Sequence, residues 1–149
     1  MIESMDLNAE VGGKLTVSVK LRSKKGETAT HTVQYQDEKF VANMLKVFLA
    51  DTVAKLNAAQ NICLQSITLS ISKEIKDIEC LSSIDPIDYI NAGVSIEGSM
   101  EMIFEDNTYK DLFLNGTPKA FRMIAEDTKH PINGSQNNTL QIDLSKVQF

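Results

Sequence analysis

The stretch VSIEGSMEMIFEDNTYKDLFL, Val94 to Leu114, changes its apolar period halfway along. Up to Phe104 the apolar side chains stand at every second residue, at Val94, Ile96, Met100, Met102 and Phe104. Glu97, Glu101 and Glu105 take the other parity. Strand side chains alternate between two faces, so this half predicts a strand with one buried face and one acidic face. Asp106 and Asn107 then supply turn formers, Tyr109, Leu112 and Phe113 follow a helical spacing, and Asn115-Gly116 offers a stop. A short capped helix over about Asn107–Leu114 is predicted. Strand, short helix, strand, with no catalytic signature nearby, is the pattern of an assembly protein rather than of an enzyme.

Working outward, the same period of two returns. Leu15, Val17, Val19 and Leu21 alternate with Thr16, Ser18, Lys20 and Arg22 after Gly12-Gly13, which predicts a half-buried strand. Thr28 to Tyr35 alternates again beyond the turn Lys24-Lys25-Gly26, and the two runs are expected to form a hairpin. His31 falls on its less polar face and reads as a hydrogen-bonded core or interface residue. Ile67, Leu69 and Ile71 mark a further strand. Ile62 and Leu64 sit on the opposite parity, so a bulge is expected near Gln65-Ser66. Phe121, Met123 and Ala125 suggest another strand, and Leu140, Ile142 and Leu144 the last. Lys76 to Asn91 reads as a long loop whose isolated apolar residues could pack on a neighbouring subunit.

Phe40 to Leu56 supports two readings. Phe40, Val41, Met44, Leu45, Phe48, Leu49, Val53 and Leu56 fit an amphipathic helix, whereas Leu45, Val47 and Leu49 also fit a strand. Periodicity alone favours the helix. With five or six strands and one secure helix, the expected class is mainly β, a sandwich or barrel with one short flanking α-helix.

A chain of 149 residues, 42% hydrophobic and 23% charged, is large enough for one domain with a core. No apolar run is long enough for a transmembrane helix, so no membrane association is expected, and the N-terminal MIESMDLNAE lacks the pattern of a secretory signal. The net charge of −5 argues against general affinity for nucleic acid. Charge is uneven: Lys20, Arg22, Lys24 and Lys25 cluster without an acid, while Asp85 to Asp127 is strongly acidic. Solvated faces are the plain reading of this; opposite-sign surfaces that meet between copies are the sharper one.

No GxSxG, phosphate loop, GxGxxG or HExxH is present. Cys63 and Cys80 have no CxxC spacing and no histidine near them in sequence, so free thiols are expected, and neither a metal site nor a cofactor is. Asn115, Asn133 and Asn137 match glycosylation spacing but read more simply as turn residues. Glu97, Glu101 and Glu105 are spaced four apart, roughly 13 Å on a strand, too far for one ion to bridge. They read either as a solvated face or as an acidic wall repeated by symmetry.

Four pieces of the chain carry a resemblance: FVANMLKVFLADTVAKLNAA (Phe40–Ala59), CLQSITLSISKEI (Cys63–Ile75), DPIDYINAGVSIEGSMEMIFEDNTYKDLFLNGTPKAFRM (Asp85–Met123) and NTLQIDLSKVQF (Asn138–Phe149). Over Phe40–Phe149 the sequence resembles the tail tube (major tail) proteins of long-tailed bacteriophages, and the third piece is the most specific. The resemblance implies a tail-tube-like β-sandwich with one flanking helix. It also implies a strand at Met44–Leu49, which we adopt over the helix. Such subunits join edge to edge into rings, usually hexameric, that stack into a hollow tube guiding DNA. Longer members carry more β structure ahead of the matched region, so the resemblance leaves open whether this single domain, residues 1–149, lacks an N-terminal portion.

The expected role is therefore a structural, non-enzymatic tube subunit in the virion tail, assembled in the host cytoplasm. Its expected partners are further copies of itself, a tape measure protein and a terminator, with DNA passing through unbound. A tail terminator or adaptor, an injection-system tube and a small β-barrel ligand binder are the alternatives. Glu97, Glu101 and Glu105 are the candidates for the lumen wall. Lys20, Arg22, Lys24, Lys25, Ile84, Ile87, Tyr89 and Ile90 are the candidates for contacts between subunits or rings.

Overall fold

The computed structural model describes residues 1–23, 39–82, 86–103, 107–132 and 134–149. In chain order the described elements are β1 (Ile2–Glu10), β2 (Thr16–Leu21), β3 (Leu45–Ala50), β4 (Leu64–Ile78), β5 (Asp88–Met102), α1 (Thr108–Asn115), β6 (Lys119–Pro131) and β7 (Asn137–Val147). Two short 3-10 turns, Ala42–Met44 and Val53–Ala58, flank β3. The mainly β class with one short helix therefore holds, and the strands lie in two antiparallel sheets, ordered β2-β1-β4-β5 and β3-β6-β7.

The chain divides into two compact units, Met1–Ala9, Thr16–Asp37 and Ile67–Ser99 in one, and Glu10–Leu15, Glu38–Ser66 and Met100–Phe149 in the other. In the first, β1 pairs with β2 through Met5↔Val19 and Leu7↔Val17 on one face and Ser4↔Lys20 and Asp6↔Ser18 on the other. Paired residues share a face, so the sequence alternation becomes one apolar and one polar surface. Leu7, Ala9, Ile67 and Leu69 are buried. The turn from β1 to β2 closes with Gly13 N–H donating to the Glu10 carbonyl at 2.9 Å, and Gly12 at φ 77° supplies the left-handed residue that a type II turn needs.

In the second unit β6 is the central strand. Val47 of β3 and Ile142 of β7 both face Met123 of β6, with Leu49 and Leu144 facing Phe121 one step along. Val47, Leu56, Ala120, Phe121, Met123 and Ala125 are buried and form its core. On the other face Arg122 donates Nε and Nη2 to the two carboxylate oxygens of Asp143 at 2.6 and 2.9 Å, and Nη1 to Asn57 in the 3-10 turn. This fork holds Asp143 below the ordinary carboxylate value. Helix α1 ends in a Schellman cap: Thr117 N–H reaches the Leu112 carbonyl at 3.4 Å, and Gly116 stands at φ 56°.

Several expectations need correction. β1 was not foreseen, although Met5, Leu7 and Ala9 alternate with Asp6, Asn8 and Glu10. Seven strands are described, against five or six expected. Phe40–Leu56 forms no long helix; the strand expected at Met44–Leu49 is β3, Leu45–Ala50, with Met44 in the 3-10 turn before it, and the helical spacing comes from the 3-10 turns at either end. Lys76–Asn91 is not one loop, because β4 runs to Ile78 and β5 starts at Asp88. The predicted strand at Thr28–Tyr35, with His31, lies outside the described residues.

Candidate assembly surface

The site to be built is the sheet β2-β1-β4-β5. The pairs Asp6–Ser70 and Val11–Gln65 run in opposite senses along β1 and β4, and Thr68–Ser99 and Ser66–Glu101 do the same for β4 and β5. The polar face is rich in hydroxyls. Ser70 Oγ donates to Asp6 Oδ1 at 2.5 Å, and the Thr68 and Ser99 hydroxyls meet at 2.7 Å. Ser95 Oγ donates to Glu97 Oε1 at 3.4 Å. Glu97 shares the parity of Ser99 and Ser95 and is exposed. Its four-residue successor Glu101 is exposed as well and accepts from Ser66 Oγ at 3.2 Å. Glu105 lies outside the described residues.

The apolar parity of the outer strands is largely in solvent. Val17, Val19 and Leu21 of β2 are 46%, 47% and 70% exposed, and Val94 and Ile96 of β5 are 55% and 44%. The expected buried face of Val94–Phe104 is therefore uncovered at Val94 and Ile96, while Met100 and Met102 are half-buried. The alternation was read correctly as a face; what it could not give was a covering layer.

The contact candidates separate into two groups. Ile87 and Ile90 are exposed and apolar, and Lys20 is exposed with its Nζ 2.8 Å from Glu3 Oε1, a bond that lowers the Glu3 pKa. Arg22 and Tyr89 are brought together instead. The guanidinium carbon lies 5.7 Å from the Tyr89 ring centroid, Arg22 Nη2 donates to Asp77 Oδ2 at 3.1 Å, and Tyr89 Oη donates to the Ser23 carbonyl at 2.7 Å. This cluster ties the end of β2 to the end of β4 and the start of β5. Sequence separations of 55 and 66 residues leave no local signal by which it could have been read. Lys24, Lys25 and Ile84 lie outside the described residues.

Among the described side chains of α1, Tyr109 and Leu114 are exposed and Leu112 is half-buried. Cys63 and Cys80 are free and exposed. Among the described residues no cluster of three or more His, Cys, Asp or Glu side chains could hold a metal ion. No described helix is long and apolar enough to cross a membrane.

A search of curated proteins gives no match. A family model described as "Phage tail tube protein" matches residues 1–145, which extends the resemblance from Phe40–Phe149 back through β2 and β1. Two antiparallel sheets with one short helix, and a match over nearly the whole chain, place this protein in the phage tail tube protein family, as a structural component of a virion tail.

Proposed function

We propose that copies of this chain self-associate into rings, six-fold by the family resemblance, and that the rings stack into the hollow tube through which phage DNA passes. The observation that carries the reading is the sheet β2-β1-β4-β5, which leaves Val17, Val19, Leu21, Val94 and Ile96 in solvent on an isolated subunit. Uncovered apolar surface on a family of self-assembling subunits is surface awaiting a neighbour. Glu97, Glu101 and Glu105 supply the lumen wall in this reading. Carboxylates that face the polyphosphate backbone repel it, and a conduit gains from a wall that DNA does not adhere to. Assembly takes place in the host cytoplasm, and a tape measure protein and a terminator bound the tube's length.

Electron microscopy of the purified protein over a concentration series tests the proposal. Stacked rings or hollow tubes are expected, with the symmetry read from end-on views. Isolated rings that never stack would point to a terminator on the same fold, and a persistent monomer at millimolar concentration would remove the self-assembling reading.

A further inference from the structure

Asn115 is the last residue of α1, and Gly116 follows it at φ 56°. The fold uses the glycine of this pair as the left-handed end of the helix. The asparagine is given no such task. Its side chain is exposed, and among the described residues no hydrogen bond or ion pair engages it. Other asparagines are held. Asn57 Oδ1 accepts from Arg122, Asn61 Oδ1 accepts from the Val47 N–H, and Asn137 Nδ2 donates to Glu126.

Two conditions decide whether such an amide reacts with its own backbone. Nothing on the next residue may block the approach, and that residue's nitrogen must reach Cγ. Gly116 has no Cβ and meets the first condition. Among the described residues Asn115 is the one asparagine followed by glycine. The second condition needs rotation at Asn115 away from its helical angles, so the last turn must open. That turn is weakly held. Its cap runs from the Thr117 N–H to the Leu112 carbonyl at 3.4 Å, longer than a usual amide bond. Tyr109 and Leu114 are exposed, and no basic side chain stands in the last turn to offset the negative end of the helix dipole. Segments with few buried contacts are the ones that open locally.

We propose that Asn115 is a site of spontaneous deamidation. The Gly116 nitrogen attacks Asn115 Cγ and closes a cyclic imide. Nδ2 departs as ammonia, taking up the proton that the attacking nitrogen gives away. Water then opens the imide at either carbonyl and leaves aspartate or isoaspartate at this position. No electrons are transferred, and water is the only co-reactant. Either product sets a carboxylate at the negative end of α1 with no base in the last turn to answer it. Isoaspartate also lengthens the main chain by one methylene, which draws Thr117 from Leu112. The end of α1 therefore loosens with age, in a virion component that is not replaced once built.

Peptide mapping of the purified chain during storage in warm, mildly alkaline buffer tests the site, with the urea-unfolded chain as the unhindered reference. Conversion of Asn115 is expected in both, more slowly in the folded chain, with aspartate and isoaspartate both found. Asn57 and Asn61 should stay intact in the folded chain. Asn133, which also precedes a glycine, lies outside the described residues and is read in a separate peptide. An Asn115 still intact in the folded chain when the unfolded chain has converted fully would overturn the proposal, because the cap would then protect the amide. Asn115→Asp isolates the new charge from the change in main chain. Hydrogen exchange at the Thr117 amide should quicken about two- to fivefold in that variant. An unchanged exchange rate would overturn the loosening of α1 by the carboxylate.

Discussion

The two sheets of this chain handle the same problem differently. In β3-β6-β7 the central strand β6 buries Ala120, Phe121, Met123 and Ala125, and the face opposite Met123 is pinned by the Arg122–Asp143 fork. In β2-β1-β4-β5 only the inner strands contribute buried residues, Leu7, Ala9, Ile67 and Leu69, and the outer strands leave theirs in water. The first sheet buries its central strand within one chain. The second has the composition of a core and the exposure of a surface, which fits a subunit that obtains stability from its own fold and cohesion from its neighbours.

The contrast is tested most severely at Met123, which is 1% exposed and faced by Val47 and Ile142. Met123→Ala removes packed atoms that the flanking strands cannot replace, and should cost about 2–5 kcal/mol of subunit stability. Thermal unfolding of the unassembled protein reads it. A loss no larger than that of an exposed valine would mean that this sheet is not the self-sufficient one.

Gly98 sharpens the comparison from the other sheet. A Cβ there would lie 2.6 Å from the Thr68 carbonyl oxygen, nearer than real Cβ atoms come to backbone. β5 approaches β4 closely at this point, where Ser99 N–H also donates to Thr68 Oγ1 at 3.2 Å. Gly98→Ala must push the strands apart and should cost about 1–3 kcal/mol. Unchanged stability would show that the junction of β4 and β5 yields easily. A sheet whose outer strands carry exposed apolar residues thus has one closely packed line within it.

Asp127 gives a prediction in pH. Its carboxylate is buried and accepts from His130 Nδ1 at 2.9 Å and from the Lys129 and His130 backbone N–H groups, where the register of β6 with β7 shifts. The His130 bond first, and those backbone donors with it, hold its pKa below the ordinary 3.8. A lowered folded value means that the stabilisation is complete above 3.8 and is lost as pH falls through the folded value. Asp127→Asn should lower the melting temperature near neutral pH, and the gap to the parent should narrow as pH falls below 3.8. A gap constant with pH would assign Asp127 a packing role only.

How much of this was legible follows from what each residue reports locally. Helix α1 was readable because Asn107 begins it, with the Asp111 N–H on its carbonyl at 2.8 Å, and Gly116 ends it. Strands β6 and β7 were readable because burial alternates along each, buried with half-buried in β6 and half-buried with exposed in β7. β3 was not, because both its faces are partly covered, so Phe48 interrupts the alternation of Leu45, Val47 and Leu49. The 3-10 turns beside it add Met44, Val53 and Leu56 at helix-like intervals. The polar extension of β4 to Ile78 alternates half-buried with exposed residues as far as Lys76, but Lys73 stands on the half-buried parity between Ile71 and Ile75, so no apolar alternation shows in the sequence. The candidate surface was legible in its residues and illegible in its exposure, since Val94 and Ile96 have the same identity whether covered by the chain or by another copy.

The smallest expected effect on the subunit is therefore the most telling. Val94→Thr keeps the β-branched shape that suits a strand and replaces one methyl by a hydroxyl. At a position 55% exposed the hydroxyl finds water, so subunit stability should change by no more than about 0.5 kcal/mol. Where a neighbouring copy covers Val94, as proposed above, the same hydroxyl would lose that water, and the concentration for half-assembly should rise. Measured side by side, an unmoved melting temperature and weakened assembly would separate the two kinds of sheet at a single residue. A drop in melting temperature like that of a core substitution would show that Val94 already has its covering within the chain, and the distinction between the two sheets would fall with it.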